Sequence, residues 1–319
     1  MGAEISKPED MSWGTLGSLR PSPNFQAGRD VERIQDALAQ KDAGSLVRIL
    51  TNRNNAQRQD IMRIFSSATQ KDLKAELKTV VSGDLETLML NLMMTPEQFD
   101  AQRLRRAMEG LGTDEETVLE VLCTRTPEQL RKVTAAYKTQ YNRDLEKDLI
   151  SETSGDFTKL LLALLKKEYG KGNIDQDVNH LSKELSNKKS DSAPWIEILT
   201  TKNPQHLANV MDTLEAERDQ RVDEALQKHF GGLLSGDLKL GLKTLVRWVQ
   251  NPGVYLAQRL QSMKGGVVQD VLVSHCEEDL LRIRVAYLKE TGTSLYSSLQ
   301  KHFKGDVQTV LLALCGAED

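Results

Sequence analysis

The 319 residues are 28% charged and 39% hydrophobic, and 42 Lys and Arg stand against 46 Asp and Glu for a formal net charge of −4. That balance, with only eight prolines, suits a helical protein large enough to bury a core and argues against a nucleic-acid binder. No strictly apolar run is longer than Leu160 to Leu165, far short of the ~20 residues a bilayer span needs, and nothing at the N-terminus reads as a secretory signal, so a cytoplasmic protein is expected.

The chain opens with Met1-Gly2-Ala3-Glu4-Ile5-Ser6-Lys7, which fits the N-myristoylation pattern once Met1 is removed and Gly2 supplies the amine. One acyl chain binds membranes only marginally, so it would act beside a second signal. Residues 1–28 read as a tail, flexible to about Gln26 and rich in Ser and Pro, with Trp13 packing on the folded body. This tail is also the candidate contact for a protein partner.

Beyond the tail a unit of roughly 70 residues occurs four times, at 29–98, 99–170, 171–251 and 252–319. Its marker is a tripeptide before an apolar segment: Ser82-Gly83-Asp84, Ser154-Gly155-Asp156, Ser235-Gly236-Asp237 and Lys304-Gly305-Asp306. The four glycines are 72, 81 and 69 residues apart, and a basic residue precedes each, Arg53, Arg125, Lys202 and His275, by 30, 30, 34 and 30 residues. Two markers sharing one internal spacing imply a copied module, longer than the two-helix repeats of about 33–47 residues, so each unit should hold about five short helices. Segments such as Leu85–Leu90 and Phe157–Leu164 are apolar over most of a helical circumference and should be buried. Elsewhere apolar residues recur at three and four, as at Val118, Leu119, Val121 and Leu122, and no run alternates as a half-buried strand would. The expected fold is therefore all-α. Cys123, Cys276 and Cys315 have no metal-binding spacing and lie in apolar helices, which reads as buried, reduced thiols.

One segment, Met108-Glu109-Gly110-Leu111-Gly112-Thr113-Asp114, occurs in full once. The first helix should end near Glu109; Gly110 and Gly112 permit left-handed backbone, and Thr113 with Glu116 should form a capping box for the next helix. Such a tight turn can present several carbonyl oxygens together, hard ligands for an ion of calcium's size. Carbonyls carry no charge, so a carboxylate is needed, and Glu152 stands two residues before Ser154, forty beyond Gly112. The expected calcium ligands are the carbonyls of Met108, Gly110 and Gly112 and the Glu152 carboxylate, with Thr113 and Glu115 as an accessory site.

These residues resemble the annexin family, in which a Gly-x-Gly-Thr-Asp loop, an acid about forty positions on and a Ser-Gly-Asp segment recur over four repeats. The resemblance runs from about Arg29 to Asp319. Trp13-Gly14-Thr15-Leu16-Gly17 and Leu295-Tyr296-Ser297-Ser298-Leu299 look most like the pemphaxin branch, whose calcium sites are degenerate, while Leu145–Leu149 looks like the calpactin heavy chain. It implies a slightly curved disc of four five-helix repeats that binds acidic phospholipid through calcium, the ion bridging protein and lipid without insertion into the hydrocarbon.

Carried over residue by residue, three units depart from the pattern. In the first, Leu38 and Gln40 take the glycine positions and Val80 the acid position; in the third, Glu184–Ser190 has no glycine and Leu233 replaces the acid. Both sites should be dead. In the fourth, Met263-Lys264-Gly265 starts correctly, but the loop should be about five residues shorter than the family form, and His302 stands where the acid belongs. The family's charged channel is matched by Asp100, Glu120 and Arg125, while Arg103 and His275 depart from it, so a salt-bridge network between repeat pairs is expected. Lys166, Lys167 and Lys171 read as a solvated linker. With no catalytic or phosphate-loop signature, no enzymatic activity is expected. The rival reading is an annexin-like scaffold that binds protein with little need of calcium or membrane.

Overall fold

The computed structural model describes residues 16–188, 191–230 and 236–317; Gly2, Trp13 and Leu233 lie outside them. Among the described residues every regular element is a helix, twenty in all, in four successive groups of five. The first group is α1 (Ala27–Gln40), α2 (Ala43–Thr51), α3 (Asn55–Thr69), α4 (Leu73–Leu77) and α5 (Gly83–Leu92). The second is α6 (Pro96–Ala107), α7 (Glu115–Thr124), α8 (Pro127–Tyr141), α9 (Leu145–Glu152) and α10 (Gly155–Leu165). The third is α11 (Ile174–Ser186), α12 (Ala193–Thr201), α13 (Pro204–Arg218), α14 (Val222–His229) and α15 (Gly236–Gln250). The fourth is α16 (Pro252–Leu260), α17 (Gly265–His275), α18 (Leu280–Thr291), α19 (Leu295–His302) and α20 (Gly305–Cys315). None of the described helices is long and apolar enough to cross a membrane.

The repeated tripeptide works through its glycine rather than its serine. Ser82 and Ser154 precede their helices without a side-chain cap, as Lys304 does, while Gly83, Gly155 and Gly305 share φ values of +61°, +64° and +62°. The chain enters each of these helices through a left-handed residue that an L side chain would strain. The aspartate that follows sits in the first turn, where it meets the positive end of the helix dipole.

The chain divides into two compact units, one built from residues up to Phe99 together with Leu256 onward, the other from Asp100 to Tyr255. In the first, α2 packs on α20, and α5 meets both α17 and α20. Here Ile34, Leu46, Leu50, Leu88, Leu272 and Leu311 are wholly excluded from water. The tail is not free as far as Gln26. Leu19 N–H donates to the Cys276 carbonyl (2.8 Å), Leu281 N–H to the Leu16 carbonyl (2.9 Å), and Ser22 N–H to Gln57 Oε1 (3.0 Å). A Cβ on Gly17 would stand 2.6 Å from the Glu277 carbonyl carbon, so the tail backbone lies closer to the α17–α18 corner than any other residue would allow.

In the second unit α7 packs on α15, and α10 lies against α7, α12 and α15. Phe157, Leu160, Leu161 and Leu164 of α10 are buried among Leu119, Trp195 and Leu242. Truncating one such leucine to alanine would cost about 2–5 kcal/mol. Cys123, Cys276 and Cys315 are free and buried, and burial pushes the Cys123 and Cys276 thiols up to about 12, where they stay protonated and unreactive.

One expectation about charge needs correction. Lys167 is not solvated: it is 5% exposed, its ammonium donates to the carbonyls of Leu122 (2.9 Å) and Cys123 (3.2 Å) at the end of α7, and the Trp248 ring lies 5.9 Å away. The position after α10 turns it back into the protein, whereas Lys166 stays outside and pairs with Glu146. Within the second repeat a buried salt-bridge cluster joins α6 to α7: Arg125 binds Asp100, and Arg103 binds both Asp100 and Glu120, all four side chains being almost fully buried, while Arg58 of the first repeat pairs with Glu277 of the fourth.

Candidate metal centre

The segment Met108–Asp114 links α6 to α7. Met108, 4% exposed, anchors its start in the core, and the Asp114 N–H donates to the Ala107 carbonyl at 2.8 Å, drawing the two ends of the loop together. Gly110 and Gly112 have φ of +95° and +86°, and nothing lies within 4 Å of where a Cβ would stand. Glycine is required here by the backbone alone, not by crowding.

Asp114, not Thr113, caps α7: its carboxylate accepts from the Thr117 N–H (3.1 Å) and the Thr117 hydroxyl (2.7 Å). Thr113 is therefore free for another partner. Its Oγ1 donates to the carbonyl oxygen of Glu152 at 3.2 Å, tying the loop to the last residue of α9. Among the described residues no backbone N–H donates to the carbonyls of Met108, Gly110 or Gly112. Gly110, Gly112 and Glu152 are exposed and Glu115, first residue of α7, is half-buried. One strand of loop carbonyls and one acidic helix end are thus joined at a water-facing edge, a donor set of hard oxygens that fits calcium.

One contributor escaped the sequence reading. Asp148, one helical turn before Glu152, is 6% exposed and fastens α9: it accepts from Tyr137 Oη (2.6 Å) and from Arg143 at both oxygens (2.7 Å each), with Arg105 of α6 3.7 Å away. Its hydrogen bonds to Arg143 hold its carboxyl below the usual range. A carboxylate four residues before the predicted ligand was the available signal. Leu111 stands wholly in solvent between the two glycines.

The other three units are built differently. In the first, Leu38 and Gln40 lie inside α1, and the closing bond is Asp42 N–H to Ala37 O (2.8 Å), spanning five residues where Ala107 to Asp114 spans seven. The glycine positions are absent rather than substituted. Asp42 still caps its helix by accepting from Ser45, and Val80 lies beyond the end of α4. In the third unit Glu184 is 5% exposed and its carboxylate accepts from the Asp191 N–H and the Asn187 side chain, both at 2.8 Å. In the fourth the connection is residues 261–264, against 108–114 in the second, so it is three residues shorter than the intact loop of this chain. There Met263 has φ of +46°, and His302 Nδ1 bonds to its own helix at the Ser298 carbonyl (2.8 Å).

Comparison with known proteins places this architecture. The annexin family model matches residues 29–92, 99–164 and 257–314, more than half of the chain. The chain belongs to the annexin family. The third repeat falls outside the matched segments of this annexin. Human annexin A9 is 39% identical over 323 aligned positions, covering 97% of this chain and 92% of that protein. The solved structure of annexin III superposes with a TM-score of 0.91 at 34% identity, covering 96% of this chain and 99% of that one. Chicken annexin V superposes with a TM-score of 0.85 at 34% identity, covering 95% and 100%. The calcium-bound structure of annexin (Sm)1 shares the fold at 23% identity, with a TM-score of 0.82 over 94% of this annexin and 93% of that chain. Annexins in general bind phospholipid in a calcium-dependent way.

Proposed function

We propose that this annexin binds acidic phospholipid membranes when calcium rises, mainly through the loop of its second repeat. The observation that carries the reading is the Thr113 to Glu152 hydrogen bond, which brings the only loop with both glycines to the acid forty residues on. The carbonyls of Met108, Gly110 and Gly112 and the carboxylate of Glu152 would hold the ion, with Thr113 and Glu115 as an accessory site. Bound calcium supplies positive charge with positions open to a lipid phosphate or carboxylate, which lets a protein of net charge −4 meet an anionic surface. The shortened or glycine-free connections of repeats one, three and four support a chain with degenerate sites, as in the pemphaxin branch.

The same reading takes the repeat boundaries at 29–98, 99–170, 171–251 and 252–319, and makes the protein cytoplasmic and peripheral at membranes. Residues 1–28 would carry an acyl chain on Gly2 and a protein contact. Coexpression with an N-myristoyltransferase should add about 210 Da, and Gly2→Ala should prevent it.

Cosedimentation with phosphatidylserine vesicles tests the main reading. The protein should pellet with calcium and stay in solution with chelator, and Glu152→Gln, which keeps the shape and removes the charge, should abolish pelleting without altering the circular dichroism. A Glu152→Gln variant that still pellets at the wild-type calcium level would move the contact elsewhere and favour the protein-binding scaffold.

A further inference from the structure

One guanidinium touches both halves of the candidate site. Arg105 lies in the last turn of α6, and its Nε donates to Glu109 Oε1 at 2.7 Å, so the second residue of the connection is folded back onto the helix it has just left. The Glu109 N–H still reaches the Arg106 carbonyl (3.3 Å), which gives the pair the spacing of one more helical turn. On its other side Arg105 Nη1 stands 3.7 Å from Asp148 Oδ2 on α9, and the guanidinium also bonds the Tyr137 hydroxyl of α8.

Glu109 is placed where a hold on it matters. The Met108 carbonyl belongs to the peptide plane that ends at the Glu109 nitrogen, so fixing Glu109 limits the rotation of that plane and the direction of its oxygen. Asp148 precedes Glu152 by one helical turn and is gripped by Arg143 and Tyr137, so what Arg105 reaches on α9 is a fixed point. The Arg105 and Glu109 side chains are 24% and 55% exposed, and as a source of global stability such a pair contributes little. The link also goes with the intact loop. Asp30 and Asp100 match as the acids that bind Arg53 and Arg125, which sets Gln35 against Arg105 in the first repeat. The tetrapeptide Ala101-Gln102-Arg103-Leu104 recurs as Ala257-Gln258-Arg259-Leu260, which sets Gln261 there in the fourth. Neither glutamine carries a charge, and neither repeat has the full loop.

Given the calcium reading of that loop, on which this rests, we propose that Arg105 is a positioning residue of the second-repeat site: through Glu109 it holds the Met108 end of the loop in register with the Glu152 end of α9, which it reaches through Asp148. Its charge alone would work the other way. A fixed positive charge on the loop's own helix repels an incoming cation, so by Coulomb's law losing Arg105 would tighten calcium binding. Positioning predicts the reverse, because outer partners that orient ligands raise metal affinity. The two roles therefore differ in sign.

The test is calcium titration of the whole protein without lipid, by isothermal titration calorimetry, so that a lost positive charge facing anionic vesicles cannot contribute. Arg105→Gln should weaken the site by about tenfold, the low end for outer partners of metal ligands. Arg105→Lys keeps the charge and gives up the planar fork, and should weaken it by roughly threefold. Melting in chelator should stay near wild type for both; should Arg105→Gln melt early, Arg105→Lys decides by the same titration. Calcium binding that is absent in wild type, or unchanged in Glu152→Gln, overturns the calcium reading and the role of Arg105 with it. Binding that Glu152→Gln abolishes but that the Arg105 variants leave equal or tighter overturns the positioning role alone.

Discussion

Thr113 Oγ1 and the Glu152 carbonyl oxygen are 3.2 Å apart although 39 residues separate them in sequence. The bond joins the loop to the end of α9, so on the proposed reading it holds Glu152 beside the loop before any ion arrives, and preorganised ligands bind more tightly than ones ordered on binding. Thr113→Val keeps the volume and removes the donor. The expected loss is about 1 kcal/mol, a rise of roughly fivefold in the calcium needed for half-maximal vesicle binding, with thermal stability nearly unchanged. An unshifted calcium midpoint would show that the tether does not position Glu152.

The number of working loops should be visible in the shape of the calcium curve. Several bridging ions on one protein reinforce each other through effective concentration, so a member with all loops intact binds steeply and at lower calcium. With Leu38 and Gln40 inside α1 and a four-residue connection in the fourth repeat, this annexin should give a Hill slope near one by vesicle sedimentation. A slope of about two or more from monomeric protein would mean that another repeat contributes.

Lys167 gives the protein a defined alkaline response. Burial lowers its ammonium from 10.5 to about 8, so between those values the unfolded chain holds a proton that the folded chain has released. Stability linked to this group therefore rises with pH from about 8 to about 10.5, by on the order of 3 kcal/mol at most. Lys167→Met cannot titrate. Subtracting the melting temperatures of Lys167→Met from those of wild type across that window should leave a positive slope, and a flat difference would place the lysine in contact with water.

Asp100 is 2% exposed and binds both Arg125 and Arg103. Asp100→Ala leaves two buried guanidinium groups short of a counter-charge, and breaking a buried pair from one side costs about 3–5 kcal/mol. Chemical denaturation should report a loss of that size, large beside the shift from an exposed pair such as Lys132 and Glu128, whose alanine variants should fall within about 1 kcal/mol of wild type.

Much of this annexin is written in its sequence because its information there is local or periodic. The all-α fold follows from apolar residues at three and four spacing, and the repeat from glycines at one interval; the recurring φ near +62° at Gly83, Gly155 and Gly305 explains why that residue type persists while the serine before the last one could become Lys304. Gly110 and Gly112 were legible for the same reason, since a left-handed backbone restricts residue type at the position itself. What depends on distance through space was not. With Asp114 capping α7, Thr113 reaches instead the carbonyl of Glu152, a partner that only the folded chain brings near. Lys166 and Lys167 are neighbours of one chemical type, yet one pairs with Glu146 at the surface and the other is drawn inward to the end of α7. Asp148 owes its role to side chains that meet it after folding. Periodicity reports which face a residue lies on, and only tertiary packing determines which polar groups find partners there.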